Sequence, residues 1–241
     1  MANFLTSTAI DILERYPDFE KITIILPSRR AAVFLKKELS KQIIRPVFSP
    51  GITTIEDFML QTLGWQQADQ PTLIFKLYDS YRAVAPDPKE NFSDFSQWAH
   101  LLLADFNELD RYRANARQVF DYLADVERIK KWDLDPEKEM SELVQNYLRI
   151  WRLLPDVYTH YTEKLKKDKL VYQGLAYREM ADTVASHIDE LREHYGKFLF
   201  VGFNALNTSE EEILRTLYHE RLADFYWDVD EYYFNDVDHE A

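Results

Sequence analysis

The feature that most constrains this fold is the stretch of residues 197–218, which reads KFLFVGFNALNTSEEEILRTLY. Its residues 198–201 form a short continuous apolar run, as expected for a strand buried on both faces of a parallel sheet. A glycine follows, and a helix begins near Asn207 and Thr208, after which apolar residues recur at helical spacing. Either residue can cap the helix, and Thr208 with Glu211 predicts a capping box. The stretch is therefore predicted to be strand, loop and helix, and ligands of α/β proteins usually bind at such strand ends.

Other segments predict further strands of the same sheet. Residues 22–27 (ITIILP) form a β-rich apolar run, and Ser28 can cap the helix that follows. Residues 47–55 (VFSPGITTI) predict a strand interrupted by Pro50 and Gly51. Buried strands that alternate with helices are typical of α/β proteins. We therefore expect a parallel sheet with strands near Ile22–Leu26, Ile52–Thr54, Phe198–Val201 and Asp224–Trp227.

The middle of the chain has a different character, because residues 70–195 contain periodic helical segments and no convincing strand. Apolar residues recur there at three- and four-residue spacing. We expect an α/β domain formed by residues 1–66 and 196–241, with residues 67–195 as a large all-helical insertion. The predicted helices of this insertion are 73–84, 92–109, 116–129, 143–165 and 175–191.

The composition excludes several classes of protein. The chain of 241 residues contains no cysteine, which rules out disulfides, thiolate zinc sites and a cysteine nucleophile, and favours a cytoplasmic location. It has no apolar run of about 18 residues, so we expect no membrane span and no membrane partner. Its amino-terminal segment lacks the basic leader and cleavage site of a secretory signal. The formal charge of −13 opposes binding to DNA unless basic groups cluster on one face.

Several segments are similar to motifs of one helicase family. Residues 26–39 (LPSRRAAVFLKKEL) resemble the strand-to-helix motif with which superfamily I helicases of the UvrD and RecB kind contact single-stranded DNA. Residues 52–64 (ITTIEDFMLQTLG) resemble their next motif, and residues 170–180 (LVYQGLAYREM) the return from their helical insertion. The most specific pieces, GFNAL at 202–206 and YWDVDEYY at 226–233, are similar to the AddB-type subunit of bacterial helicase–nucleases. In its Bacteroidetes-like form, this family joins an inactivated RecA-like helicase region to a PD-(D/E)XK nuclease domain.

The chain departs from an active helicase at both elements that handle ATP. A phosphate-cradling loop needs a glycine followed by Lys-Ser or Lys-Thr, and none of the five glycines precedes such a pair. An active enzyme would carry an aspartate and a glutamate after the strand that ends at Val201, where this chain has Gly202, Phe203 and Asn204. We therefore expect a degenerate P-loop-NTPase-like domain without catalytic, cofactor-binding or metal-binding residues and without enzymatic activity of its own. The resemblance leaves nuclease activity to a further domain of the full-length protein.

The candidate binding residues follow two of the predicted strands. Arg29 and Arg30 lie in the first turn of a helix, whose free backbone amides also attract phosphate. Thr53 and Thr54 lie at the end of the next strand. The resemblance implies that these four residues contact single-stranded DNA weakly. It also implies a non-catalytic scaffold of a DNA-end-processing helicase–nuclease in recombinational repair, which positions DNA and an AddA-like motor subunit.

The sequence leaves other functions open. The net charge favours a protein-interaction module without a DNA role, in which the arginine pair is an ordinary solvated surface. An ATPase with an unorthodox site is the other alternative. Two acidic groups, residues 105–110 at a helix end and the run 228–239, are interpreted as solvated surfaces rather than metal sites. A positive groove at the carboxyl ends of the strands would favour the DNA-binding scaffold.

Overall fold

The computed structural model describes residues 3–44, 46–85, 90–123 and 142–229. The described strands are β1 (Ile22–Leu26), β2 (Gly51–Thr54), β3 (Gln66–Gln67), β4 (Leu170–Val171), β5 (Lys197–Phe203) and β6 (Ala223–Trp227). The described helices are α1 (Phe4–Arg15), α2 (Arg29–Gln42), α3 (Ile55–Leu63), α4 (Gln70–Val84), α5 (Phe92–Arg111), α6 (Ala116–Leu123), α7 (Glu142–Lys167), α8 (Gln173–Tyr195) and α9 (Thr208–His219). Two predicted features, residues 124–129 of a helix and residues 230–239 of the acidic run, lie outside the described residues.

The chain folds into two compact units. One comprises Met1–Leu63 with Glu179–Ala241, and the other comprises Gly64–Arg178. The sequence places the domain boundaries at residues 66 and 196, whereas the second unit boundary falls earlier, inside helix α8. Because α8 runs unbroken, its apolar periodicity gives no signal at residue 179.

The first unit is built on a fully parallel sheet of four strands in the order β2-β1-β5-β6. This confirms the predicted α/β class, the parallel pairing and the positions of the four strands. The prediction that the second strand begins before Pro50 is wrong, since β2 begins at Gly51. Proline lacks the N–H that a strand ladder needs, so the apolar residues Val47 and Phe48 precede the strand without joining it.

The core of this unit lies on both faces of the two central strands. Alternate residues of a strand point to opposite faces. Ile24 and Leu26 of β1, together with Leu199 of β5, pack against Leu35 and Leu39 of α2. Each of these side chains is almost fully buried, and such burial contributes roughly 1.5–3 kcal/mol per residue. Helix α1 adds Ala9 and Ile12 to the same cluster.

The opposite face of the sheet carries an aromatic layer. Phe198 of β5 meets Phe58 of α3 edge-on at a centroid distance of 5.1 Å. Phe200 stacks on Phe225 of β6 at 5.5 Å, and Tyr218 of α9 contacts Phe225 at 5.9 Å. Helices α2 and α9, which connect successive strands, therefore lie on opposite faces of the sheet.

The second unit is mostly helical, but the prediction that residues 70–195 are helical throughout is wrong at β4. Lys169 has a φ of 54° and ends the turn that follows α7, after which Leu170 and Val171 extend and pair with β3 in parallel. The Gln66 amide donates to the Lys169 carbonyl at 3.0 Å, and the Ala68 amide donates to the Val171 carbonyl at 2.9 Å. This short strand pair departs from the all-helical insertion that the apolar periodicity predicts. None of the described helices is long and apolar enough to span a bilayer.

Candidate nucleic-acid interface

The strand order creates a point at which the chain reverses direction across the sheet. From β1 the chain moves to β2 on one side, whereas β5 pairs with the other side of β1 and leads on to β6. The connecting helices α2 and α9 lie on opposite faces, so the loops that follow β1 and β5 diverge. In open α/β sheets this divergence opens a crevice at the carboxyl ends of the strands, where ligands bind. The segment that follows β1 contains the predicted residues Arg29 and Arg30.

Arg29 and Arg30 begin helix α2 immediately after Ser28. The Ser28 hydroxyl oxygen accepts a hydrogen bond from the Ala31 amide at 3.2 Å and caps the helix. Helix geometry leaves the amides of both arginines without an intrahelical acceptor. The Arg29 side chain is 85% exposed, and the Arg30 guanidinium lies 5.7 Å from the ring centroid of Phe34. This first turn therefore offers two cationic groups and free amide donors at one point, as an anion site requires.

Thr54 ends β2 at the same level of the sheet, since its register partner in β1 is Leu26. Its side chain is only 6% exposed. Its hydroxyl donates to Asp57 Oδ2 at 2.8 Å and accepts from the Asp57 amide at 3.2 Å, which caps helix α3. Thr53 is half-buried, and its hydroxyl donates to the Thr54 carbonyl at 3.4 Å. Both threonine hydroxyls are thus already engaged within the protein.

Asp57 connects these residues, although the sequence analysis did not single it out. Its Oδ1 accepts from Arg29 Nη2 at 3.2 Å, so one carboxylate contacts both Arg29 and Thr54. The signal that could have found it is the Thr-x-x-Asp spacing of residues 54–57, which is typical of a helix start. The structure brings together Arg29, Thr54 and Asp57, whereas it pairs Arg30 with Phe34.

Asp57 weakens the positive potential of this site. Its carboxylate is 34% exposed and offsets one of the two guanidinium charges. Exposed ion pairs contribute little free energy, about 0.2–1 kcal/mol, so a phosphate group can replace the carboxylate as the partner of Arg29. The arrangement therefore suits weak, salt-sensitive contact with an anion.

The loop after β5 is shaped by an irregularity at Gly202, which has a φ of 75°. The pairing with β6 shifts between Val201 and Phe203, and this bulge brings Phe203 to the face of Phe200, at a centroid distance of 5.8 Å. The Phe203 side chain therefore lies at the end of β5, on the same face of the sheet as Phe200. Asn204 follows as an exposed residue.

The structure decides which of the two candidate residues caps helix α9, and its capping box differs from the predicted one. Asn207, not Thr208, is the capping residue, and its side chain accepts from the Glu210 amide at 2.9 Å. The Glu210 carboxylate accepts from the Asn207 amide at 3.0 Å, which completes the capping box in place of the predicted Thr208–Glu211 pair. Asn207 and Glu210 are both buried. Tertiary packing therefore selects this pair over Thr208 and Glu211, which have the same three-residue spacing.

Helix α1 is fixed to the sheet by two hydrogen bonds between tyrosines and aspartates. The Tyr16 hydroxyl donates to Asp224 of β6 at 2.5 Å, and the Tyr226 hydroxyl donates to Asp11 of α1 at 2.7 Å. Burial and the bond to Asp224 raise the pKa of Tyr16 to about 12. Burial and the bond to Asp11 also raise the pKa of Tyr226. These bonds hold α1 over the edge of the sheet opposite β2.

In the second unit, Asp110 corrects the interpretation of residues 105–110 as a solvated surface. Its side chain is fully buried, and it accepts hydrogen bonds from the Tyr158 and Tyr172 hydroxyls. Arg178 Nε lies 2.6 Å from Asp110 Oδ1, and its Nη2 donates to the Leu109 carbonyl at 2.8 Å. Burial raises the pKa of Asp110, and these donors oppose that rise. The group joins α5, α7 and α8 as a structural network.

Within the part of the chain that the structure describes, neither the arrangement of metal-binding side chains nor comparison with known proteins identifies a further functional site. Across the described residues, no group of three or more histidine, aspartate or glutamate side chains is arranged to hold a metal ion. Neither a protein-family model nor a curated protein sequence matches this chain.

Proposed function

We propose that this chain is a non-catalytic, helicase-like scaffold that guides single-stranded DNA. The observation that carries the proposal is the position of Arg29 and Arg30. They begin α2 at the carboxyl end of β1, beside the point where the strand order reverses. Proteins of this architecture bind ligands at that position, and a helix start with two arginines favours phosphate.

The mode of binding follows from the groups at this site. One backbone phosphate contacts the amides at the start of α2 and the Arg30 guanidinium, and a neighbouring phosphate displaces Asp57 from Arg29. No base edge needs to be read, so binding is independent of sequence. Because few phosphates are neutralised in a chain of net charge −13, the affinity is low and falls quickly with salt.

The resemblance to AddB-type subunits supplies the wider role. In this proposal the sheet is a RecA-like domain, and the full-length protein joins an AddA-like motor subunit in the cytoplasm to process DNA ends for recombinational repair. ATP hydrolysis belongs to the motor subunit. The end of β5 supports this division, since Phe203 closes the strand and Asn204 follows it where an active helicase carries its magnesium-binding acids. Calorimetry with millimolar Mg-ATP should show no saturable heat, and a micromolar dissociation constant would favour the ATPase alternative.

The direct test is fluorescence anisotropy with a labelled thymidine strand of about 20 nucleotides. We expect measurable binding at about 20 mM salt and little at about 150 mM. The double variant Arg29→Ala/Arg30→Ala should lose the low-salt binding. The matched control is Arg192→Ala/Arg215→Ala, which removes two half-exposed arginines that also have carboxylate partners.

The outcomes separate the alternatives. If both double variants lose binding equally, net charge rather than this site controls the affinity. If the Arg29→Ala/Arg30→Ala variant binds as well as the parent, the DNA contact lies elsewhere. If the parent does not bind even at low salt, the protein-interaction module replaces the scaffold as the proposed function.

A further inference from the structure

A groove lies on the first unit between α2 and the segment that leads into β2. Its volume is about 420 Å³, which is in the lower part of the range of ligand-binding pockets. The deeper lining is apolar and includes Leu39 and Ile43 on the α2 side and Pro50 and Ile52 on the β2 side. Lys36 lies at the groove as its cationic lining residue. The groove can therefore take one or two large apolar side chains beside a positive charge.

Exposed apolar residues also lie close in sequence to the residues that line the groove. Val47 lines it and is 42% exposed, Phe48 is 76% exposed, and Ile44 is fully exposed. Val33 on the outer face of α2 is also exposed. Single exposed apolar residues are ordinary, but several around one concave site mark an interaction surface.

The charge of this segment is opposite to that of the whole chain. Residues 29–52 contain six basic residues and one acidic residue, whereas the chain has a net charge of −13. The single acidic residue, Glu38, is already engaged by Lys41 Nζ at 2.6 Å and by the Thr6 hydroxyl at 3.1 Å. Lys36, which lines the groove, and its neighbour Lys37 in α2 are both exposed. The groove thus combines an apolar lining with the positive charge of Lys36.

We propose that this groove binds an acidic peptide segment of a partner protein. Bulky apolar side chains of the peptide enter between Leu39 and Val47, and its carboxylates lie near Lys36 and Lys37. A desolvated apolar anchor surrounded by complementary charge is the usual form of a peptide site. The proposal is independent of the DNA-binding role.

The shape of the groove favours a peptide over single-stranded nucleic acid. Single strands stack their bases on exposed aromatic faces along a positive channel. Here the concave lining is mainly aliphatic, from Leu39, Ile43, Val47 and Ile52, and the aromatic ring that lines it, Phe19, is buried. Such a lining accepts branched or aromatic side chains but provides no platform for successive bases.

The test is selection from a phage-displayed library of random peptides of about 12 residues, followed by anisotropy measurements on the enriched peptides. We expect enriched sequences that combine aspartate or glutamate with leucine, isoleucine or phenylalanine. The variant Val47→Glu, at an exposed position that tolerates a polar side chain, should weaken their binding by about tenfold or more. The matched control Val229→Glu changes another exposed valine, after β6, and should leave binding unchanged.

Each other outcome overturns the proposal. The proposal is wrong if no peptide is enriched on the parent relative to Val47→Glu, or if the enriched peptides are neutral or basic. A thymidine oligonucleotide that loses binding in Val47→Glu but not in Val229→Glu would identify a nucleic-acid site instead. A concentration-dependent dimer in sedimentation that Val47→Glu abolishes would identify a second copy of the chain as the occupant.

Discussion

Asp57 provides the sharpest test of the DNA site, because its carboxylate opposes phosphate binding while its backbone supports the fold. The substitution Asp57→Asn removes the charge but keeps an oxygen that can accept from the Thr54 hydroxyl, now 2.8 Å away. It also keeps the backbone amide that caps α3. We expect a stability loss of about 0.3–1 kcal/mol, from the lost favourable charge at the start of that helix.

The expected gain in DNA affinity follows from the Arg29–Asp57 pair. The two atoms lie 3.2 Å apart and Arg29 is 85% exposed, so removing the pair makes available about 0.2–1 kcal/mol for phosphate binding after solvent screening. This corresponds to about 1.4- to fivefold tighter binding at low salt. One more neutralised phosphate should also steepen the dependence of log K on log salt by about 0.7.

The assay is anisotropy with a labelled thymidine strand across a salt series. Asp18→Asn is the matched control, because Asp18 is an exposed carboxylate paired with Lys21 just before β1, at the opposite end of the strands. Both variants have the same net charge. In the Arg29→Ala background, the gain from Asp57→Asn should shrink. Equal gains from Asp57→Asn and Asp18→Asn would show that net charge, and not the Arg29–Asp57 pair, controls the affinity for DNA.

Three further predictions concern the fold. Gly174→Ala should lower the free energy of unfolding by about 1–3 kcal/mol in urea titration, because the new Cβ would lie 2.3 Å from the Asn107 carbonyl oxygen. Unchanged stability would show that helices α5 and α8 separate freely to make room for it. Asp110→Ala should cost about 3–5 kcal/mol in the same titration, because Arg178 keeps a charge without its partner, and a cost below about 1 kcal/mol would contradict the network. Because folding raises the pKa of Tyr16, its protonated hydroxyl stabilises the folded protein. This contribution to the free energy of unfolding is complete below pH 10 and is lost as pH rises from about 10 to about 12. Tyr16→Phe should therefore flatten the decline of stability in that window, and an unaltered decline would count against the Tyr16–Asp224 bond.

The sheet could be predicted because its signals are local. Residues 22–26 are apolar and rich in β-branched side chains, and Pro27 ends the run, so β1 begins and ends where the sequence indicates. Helix α1 also has a local start signal, because the Asn3 side chain caps it by accepting from the Thr6 amide at 2.9 Å. In helix α2, packing buries Leu35 and leaves the neighbouring Phe34 exposed.

The missed features depend on residues that are distant in sequence. Asp110 is buried because Tyr158, Tyr172 and Arg178 converge on it, and no periodic pattern relates positions so far apart. Strand β4 exists only through its pairing with Gln66–Gln67, about a hundred residues earlier. Local sequence patterns fix which face of a helix is apolar. They do not fix which polar residue on that face will find partners.

The most direct test of the central claim is a crystal structure of the protein with a thymidine strand of about ten nucleotides at low salt. We expect phosphates at the start of α2, within hydrogen-bonding distance of Arg30 and the helix amides, with Arg29 turned from Asp57 toward the strand. A strand bound away from the carboxyl ends of β1 and β5, with the Arg29–Asp57 pair intact, would contradict it.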